Sequence, residues 1–305
     1  MKTSLIKLTC GLALLGAATM AQALTYTTLN APLGAYGTDA YGISGNNIVG
    51  SYNDGSGIDH GFLYNGSTWT TLSDPLGVYG TDAYGIFGNN IVGCYGASSG
   101  YSHGFLYNGS TWTTLDDPLS SIYGTDAYGI SGNNIVGSYY DSAGYSHGFL
   151  YNGSTWTTLD DPLGVYGTYP YGISGNNIVG CYYDSSGMHG FLYNGSTYIT
   201  LDDPLGVNGG GYANGIDGNN IVGMYSDSSG YSHGFLYNGS TWTTLDAPLG
   251  VGGTEAWSIS GNNIVGSYND SSYDHGFIAS VPEPSTLALA DLGGLSLLLF
   301  RRRKS

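Results

Sequence analysis

The string Asn-Asn-Ile-Val-Gly occurs six times, starting at Asn46, Asn89, Asn133, Asn176, Asn219 and Asn262, at intervals of 43 or 44 residues. A chain written this way must fold in copies, because each unit buries its apolar face only against the next one. Six histidines, His60, His103, His147, His189, His233 and His275, each followed by Gly-Phe, recur every 42 to 44 residues. A period near 43 lies in the range of propeller blades and well above the roughly 20–29 residues of a solenoid coil.

Within each unit four short β-rich runs alternate with turn residues. In the third unit they are 127–131, 134–139, 147–151 and 154–159. Gly132-Asn133 turns the first hairpin, and a loop from Tyr140 to Ser146 follows the second run. Asn152-Gly153 predicts a type I′ turn, with positive φ at both central residues. Helix signals are confined to the two ends.

The phase of the repeat says more than its length. The repeats open on Tyr26-Thr27-Thr28-Leu29, equivalent to Trp69-Thr70-Thr71-Leu72, and close on His275-Gly276-Phe277-Ile278. The first fragment is a fourth strand without its first three; the last is a third strand without its fourth. Pairing them completes six four-stranded blades and leaves no open sheet end. The expected fold is all-β, a six-bladed β-propeller over residues 24–281; an open β array is the alternative.

The ends read as addresses. Lys2 and Lys7 precede the apolar run 12–18 and the small-x-small triplet Ala21-Gln22-Ala23. This is the pattern of a secretory signal peptide over residues 1–23, cleaved between Ala23 and Leu24. Residues 282–305 form a tail: Pro282-Glu283-Pro284, an apolar segment from Leu287 to Phe300, then Arg301, Arg302 and Arg303. The segment falls short of the ~20 residues of a permanent span, and Asp291 interrupts it, so transient anchoring is expected.

That order resembles the PEP-CTERM sorting signal of Gram-negative bacteria that make exopolysaccharide. The resemblance implies an exosortase as processing partner and a destination at the cell surface or beyond. The units themselves, with His147-Gly-Phe-Leu-Tyr-Asn-Gly as the example, resemble the HAF family of extracellular repeats, glycine standing where that family has alanine. This second resemblance implies secretion and repetition, and no activity.

Charge narrows the function. The basic residues are Lys2, Lys7, Arg301, Arg302, Arg303 and Lys304, so residues 8–300 carry no lysine or arginine, and the net charge is -16. Nucleic acid is excluded as a partner, since phosphate neutralisation needs those side chains, and so is a catalyst that works through an arginine clamp. Antiparallel order puts the loop after each second strand and the link after each fourth strand on one face. Of the 20 acids within residues 24–281, all but Asp217 fall in or beside those segments, Asp39, Asp82, Asp126 and Glu255 among them. Such a face attracts cations.

The candidate ligand groups are Asp116-Asp117, Asp160-Asp161 and Asp202-Asp203, whose oxygens suit weak Ca²⁺ binding, and Tyr79, Tyr123 and Tyr166, which could stack on sugar rings. The competing account makes Asp-Pro and Asp-Asp-Pro turn formers and the charge a solubility device. No Asp-x-Asp-x-Asp-Gly loop occurs. The histidines open third strands, and strands lie about 4.8 Å apart, so six equivalent imidazoles cannot meet on one ion; a hydrogen bond to a hydroxyl or carboxylate is their expected role. Trp69, Trp112, Trp156, Tyr198 and Trp242 are expected between blades. Cys94 and Cys181, two repeats apart, are expected as buried thiols out of disulfide reach.

Near-identical repeats do not place a nucleophile, a base and an anion stabiliser around one pocket, so no catalytic residues and no cofactor are expected. The expected function is an exported, non-catalytic repeat protein of the cell surface or exopolysaccharide matrix, binding glycan or a protein partner through the acidic, tyrosine-rich face. A glycan hydrolase using paired carboxylates and a purely structural matrix protein are the alternatives.

Overall fold

The computed structural model describes residues 24–121, 124–207 and 209–281. Tyr123, the cleavage residue Ala23 and the sorting residues Pro282, Glu283, Pro284, Arg301, Arg302 and Arg303 lie outside them. Residues Thr25–Val281 form one compact unit. No helix among the described residues is long and apolar enough to cross a membrane.

The unit is a six-bladed β-propeller of four-stranded antiparallel sheets. Blade 1 consists of Thr38–Ser44, Asn47–Asn53, Asp59–Tyr64 and Trp69–Leu72. The first strands of blades 2 to 6 are Thr81–Phe87, Thr125–Ser131, Gly167–Ser174, Tyr212–Asp217 and Gly253–Ser260. Each first strand packs on the first strand of the next blade, and that of blade 6 packs on that of blade 1. The ring is therefore closed around an axis lined by first strands. Blade 6 takes its fourth strand from the start of the chain: Thr25–Leu29 pairs antiparallel with Asp274–Ser280, from Thr25 opposite Ser280 to Leu29 opposite Gly276. The repeat phase predicts this closure.

Glycine makes the axis possible. A Cβ on Gly42, Gly85, Gly129 or Gly172 would lie 2.5–2.7 Å from a backbone oxygen of the neighbouring first strand. No side chain fits where the backbones converge.

The apolar core lies in layers between blades. In one layer Val49 and Leu72 of blade 1 meet Ala83, Ile86, Ile91, Tyr95 and Phe105 of blade 2. One phenylalanine per blade, from Phe62 to Phe277, is almost fully buried, each contributing about 1.5–3 kcal/mol by area. Trp69, Trp112, Trp156, Tyr198 and Trp242 pack partly buried against these layers, as expected. Cys94 and Cys181 are buried and unpaired.

The turns correct one expectation. The Asn-Gly connections are not type I′, because only the glycine, as at Gly153, has positive φ. Asn152 Oδ1 instead accepts the N–H of Ser154 and Thr155 and the Ser154 hydroxyl, at 2.9–3.0 Å. The Ser-Thr that follows supplies donors to the asparagine side chain, which widens the turn to four residues.

Candidate functional site

The loops after second strands and the links between blades share one face, and there each histidine is held by its neighbours. His147 lies on Tyr139, ring centroids 5.3 Å apart and nearly parallel. Its Nδ1 is 2.8 Å from Asp160 Oδ2, and its Nε2 is 3.6 Å from Asp141 Oδ2. The Tyr139 hydroxyl in turn meets Thr158 at 3.2 Å. The same arrangement recurs with His189 between Asp202 and Asp184 and His233 between Asp246 and Asp227. His103 keeps only Asp116, at 3.0 Å. In blade 1 Ser73 takes the position of Asp160, and in blade 6 Asn30, just after the closing strand, does so.

Burial alone would lower the pKa of His147, but the hydrogen bonds and charges of Asp160 and Asp141 prevail and raise it. His189 is raised in the same way by Asp202 and Asp184. On the loop side, N–H and hydroxyl donors hold the carboxylates ionised. Asp227 is lowered to about 2 by the Ser229 hydroxyl and the Tyr231 N–H.

The three predicted carboxylate pairs divide. Asp116 and Asp160 are open to solvent, Asp202 is half-buried with its Oδ1 enclosed and without a partner, and all three hydrogen-bond their histidines. Asp117, Asp161 and Asp203 are 4% exposed, and each accepts the N–H two residues on, from Leu119, Leu163 and Leu205 at 2.8–2.9 Å. The turn-forming account thus holds for the second member of each pair. Among the described residues no group of three or more His, Cys, Asp or Glu side chains is arranged to hold a metal ion.

Each buried aspartate sets the start of a link that presents its apolar residues outward. Leu33, Leu76, Leu119, Leu163, Leu205 and Leu249 are 57–65% exposed, and Tyr79 and Tyr166 stand exposed nearby in their links. Sequence reasoning singled out the tyrosines and missed the leucines. The signal was present: a Pro-Leu pair repeated in every link, followed by glycine in all but one, where Ser120 stands, keeps an aliphatic side chain between two turn formers that cannot bury it.

A second set of acids, Asp39, Asp82, Asp126 and Glu255, stands near the start of first strands, beside the links as expected. Burial raises Asp39 and Asp82 to about 6 and Glu255 to about 7. Deeper in, Tyr41, Tyr84, Tyr128, Tyr171 and Trp257 line a cavity of about 410 Å³.

The C-terminal residues 280–304 match the family model of the PEP-CTERM protein-sorting motif. That motif is an exosortase recognition signal and implies export, transient membrane anchoring and display at the cell surface. No curated protein sequence matches the chain. Among solved structures, an arginine triple mutant of AofleA from Arthrobotrys oligospora is similar, with a TM-score of 0.52 at 11% identity over 81% of this chain and 84% of that one. The SapL1 lectin in complex with alpha methyl fucoside superposes with a TM-score of 0.51 at 14% identity, over 78% and 90%. Trypanosoma rangeli sialidase gives 0.50 at 9% identity over 86% of this chain, which spans 57% of that larger protein. At these identities the likeness is one of fold.

Proposed function

We propose that this exported surface protein is a non-catalytic binder of a glycan polymer of the cell surface or exopolysaccharide matrix, and that it binds through the face bearing the blade links. The observation that carries this reading is the sixfold exposure of Leu33, Leu76, Leu119, Leu163, Leu205 and Leu249 on a face edged with His–Asp pairs. Exposed apolar groups in such an array mark an interaction surface. Sugars present C–H faces to Leu and Tyr and hydroxyls to carboxylates, and Asp116, Asp160 and Asp202 are the acceptors available. Six weak contacts around a ring suit a repeating polymer, because linked sites multiply affinity. The fold accommodates sugar in the SapL1 lectin complex, which agrees with this reading through fold alone. The His-Gly-Phe units are assigned on the same footing to HAF-type extracellular repeats.

Calcium gathers on this face as a diffuse counter-ion, without a built site. The hydrolase alternative asks two carboxylates to flank one substrate bond. Asp160 is bonded to His147 and Asp161 to the Leu163 N–H, which speaks against their acting as that unit.

A pull-down of the full chain against the host's own exopolysaccharide, with and without calcium, tests the proposal. Retention that drops when Leu76, Leu119 and Leu163 are changed together to serine supports it. No retention under either condition refutes it, and sugar release abolished by Asp160→Asn would replace it with hydrolysis.

A further inference from the structure

The six first strands carry one ring position each into the channel: Tyr41, Tyr84, Tyr128, Tyr171, Asn214 and Trp257. Five of them are aromatic and touch in sequence, from Trp257 through Tyr41, Tyr84 and Tyr128 to Tyr171, with centroids 5.2–5.5 Å apart. Blade 5 breaks the belt. Asn214 stands there in place of an aromatic ring, and Tyr171 leans instead toward Tyr212. The gap opens into the 410 Å³ cavity, whose wall here adds Met224, Tyr212 and Glu255. That volume lies in the range of small-molecule sites, about 300–1,000 Å³.

Two acceptors beside this gap lack donors. Asn214 is 4% exposed; its Nδ2 donates to the Ala256 carbonyl at 3.0 Å, while its Oδ1 has no hydrogen-bond partner. A buried amide oxygen left in that state costs about 1–3 kcal/mol. Among the described residues no hydrogen bond reaches the Glu255 carboxylate, although Asp39 and Asp274 add like charge to it. The Trp257 indole N–H is already spent on Ser267, at 3.1 Å. The chain cannot supply a counter-charge, since residues 8–300 contain no lysine or arginine. An aromatic wall, a carboxylate and an orphan amide oxygen together ask for a cation that carries N–H donors on an apolar frame.

We propose that the gap at Asn214 is a binding site for a small organic ammonium ion. Its N–H groups go to Glu255 and Asn214 Oδ1, and its carbon frame lies against Trp257, Tyr171 and Met224. Titration calorimetry on the full chain at 0.15 M salt tests this with cyclohexylammonium chloride and its neutral counterpart cyclohexanol. The expected result is saturable one-to-one binding of the ammonium and at least tenfold weaker binding of the alcohol. Glu255→Gln and Asn214→Tyr should each weaken the ammonium at least tenfold. The second variant restores the residue that four other blades carry, so its fold is checked by an unchanged circular dichroism spectrum. Ser154→Ala, at an outer hairpin turn, should leave the affinity unchanged. Equal binding of alcohol and ammonium, full affinity in Glu255→Gln or Asn214→Tyr, loss of affinity in Ser154→Ala, or no saturable binding would each overturn the proposal.

Discussion

The rim and the axis of this propeller are written by the same six repeats, yet they differ in kind. At the rim a His–Tyr–Thr network recurs on every blade, even the closing one, where Thr28 from the start of the chain meets Tyr268 at 2.9 Å. At the axis the copies diverge: Asp39, Asp82 and Asp126 become Tyr169, Tyr212 and Glu255, and one tyrosine of the belt becomes Asn214. The difference follows from distance. The histidine, tyrosine and threonine of each rim network meet within one blade and can be copied six times without conflict. An axial side chain meets its copies in the adjacent blades, so identical carboxylates there would repel one another. Repetition is tolerated outside and selected against inside, and the departures from it gather at the axis.

Glycine substitution should break this comparison most sharply. Gly85→Ala puts a Cβ 2.6 Å from the Tyr128 carbonyl and should cost about 3 kcal/mol or more, read as a lowered denaturation midpoint. Gly66→Ala at a rim turn has open space around it, and only the positive φ of 92° opposes it. About 1 kcal/mol is expected there.

The pH dependence separates the regions next. Glu255 at about 7 and Asp39 and Asp82 at about 6 bind protons more tightly folded than unfolded. Stability from these groups is therefore full below about pH 4 and lost as pH rises through 6 to 7. Glu255→Gln should remove about 3 kcal/mol of that pH dependence, seen as melting temperatures that fall less between pH 4 and pH 8. The rim loses its share in a later window. His147, raised by its carboxylates, stabilises fully below its unfolded value near 6.5 and loses that share as pH climbs through its folded value. His147→Ala should cost about 1 kcal/mol at pH 6 and less at pH 9, measured by urea denaturation at the two pH values. Smallest of all, Leu76→Ser should change stability by no more than about 0.5 kcal/mol.

Much of the rim was legible in advance. A hydroxyl or carboxylate partner was expected for each histidine, and the structure supplies both kinds, Asp160 for His147 and Ser73 for His60. The division of Asp160 from Asp161 did not, because the two are neighbours in sequence and separate only when the chain turns at Pro162 and buries the second carboxylate. Asn214 was illegible for a different reason. In its own repeat it is one polar residue in a strand, and its meaning comes from the aromatic residues of the other five blades.

By itself the sequence determined the number of blades, the strand order within each and the closure by Thr25–Leu29, since periodicity and phase are properties of one dimension. Only the tertiary structure decided what meets at the axis. Residues 43 apart in the chain become neighbours when the ring closes, and the small departures among them then share one cavity, where charge and volume must be settled together.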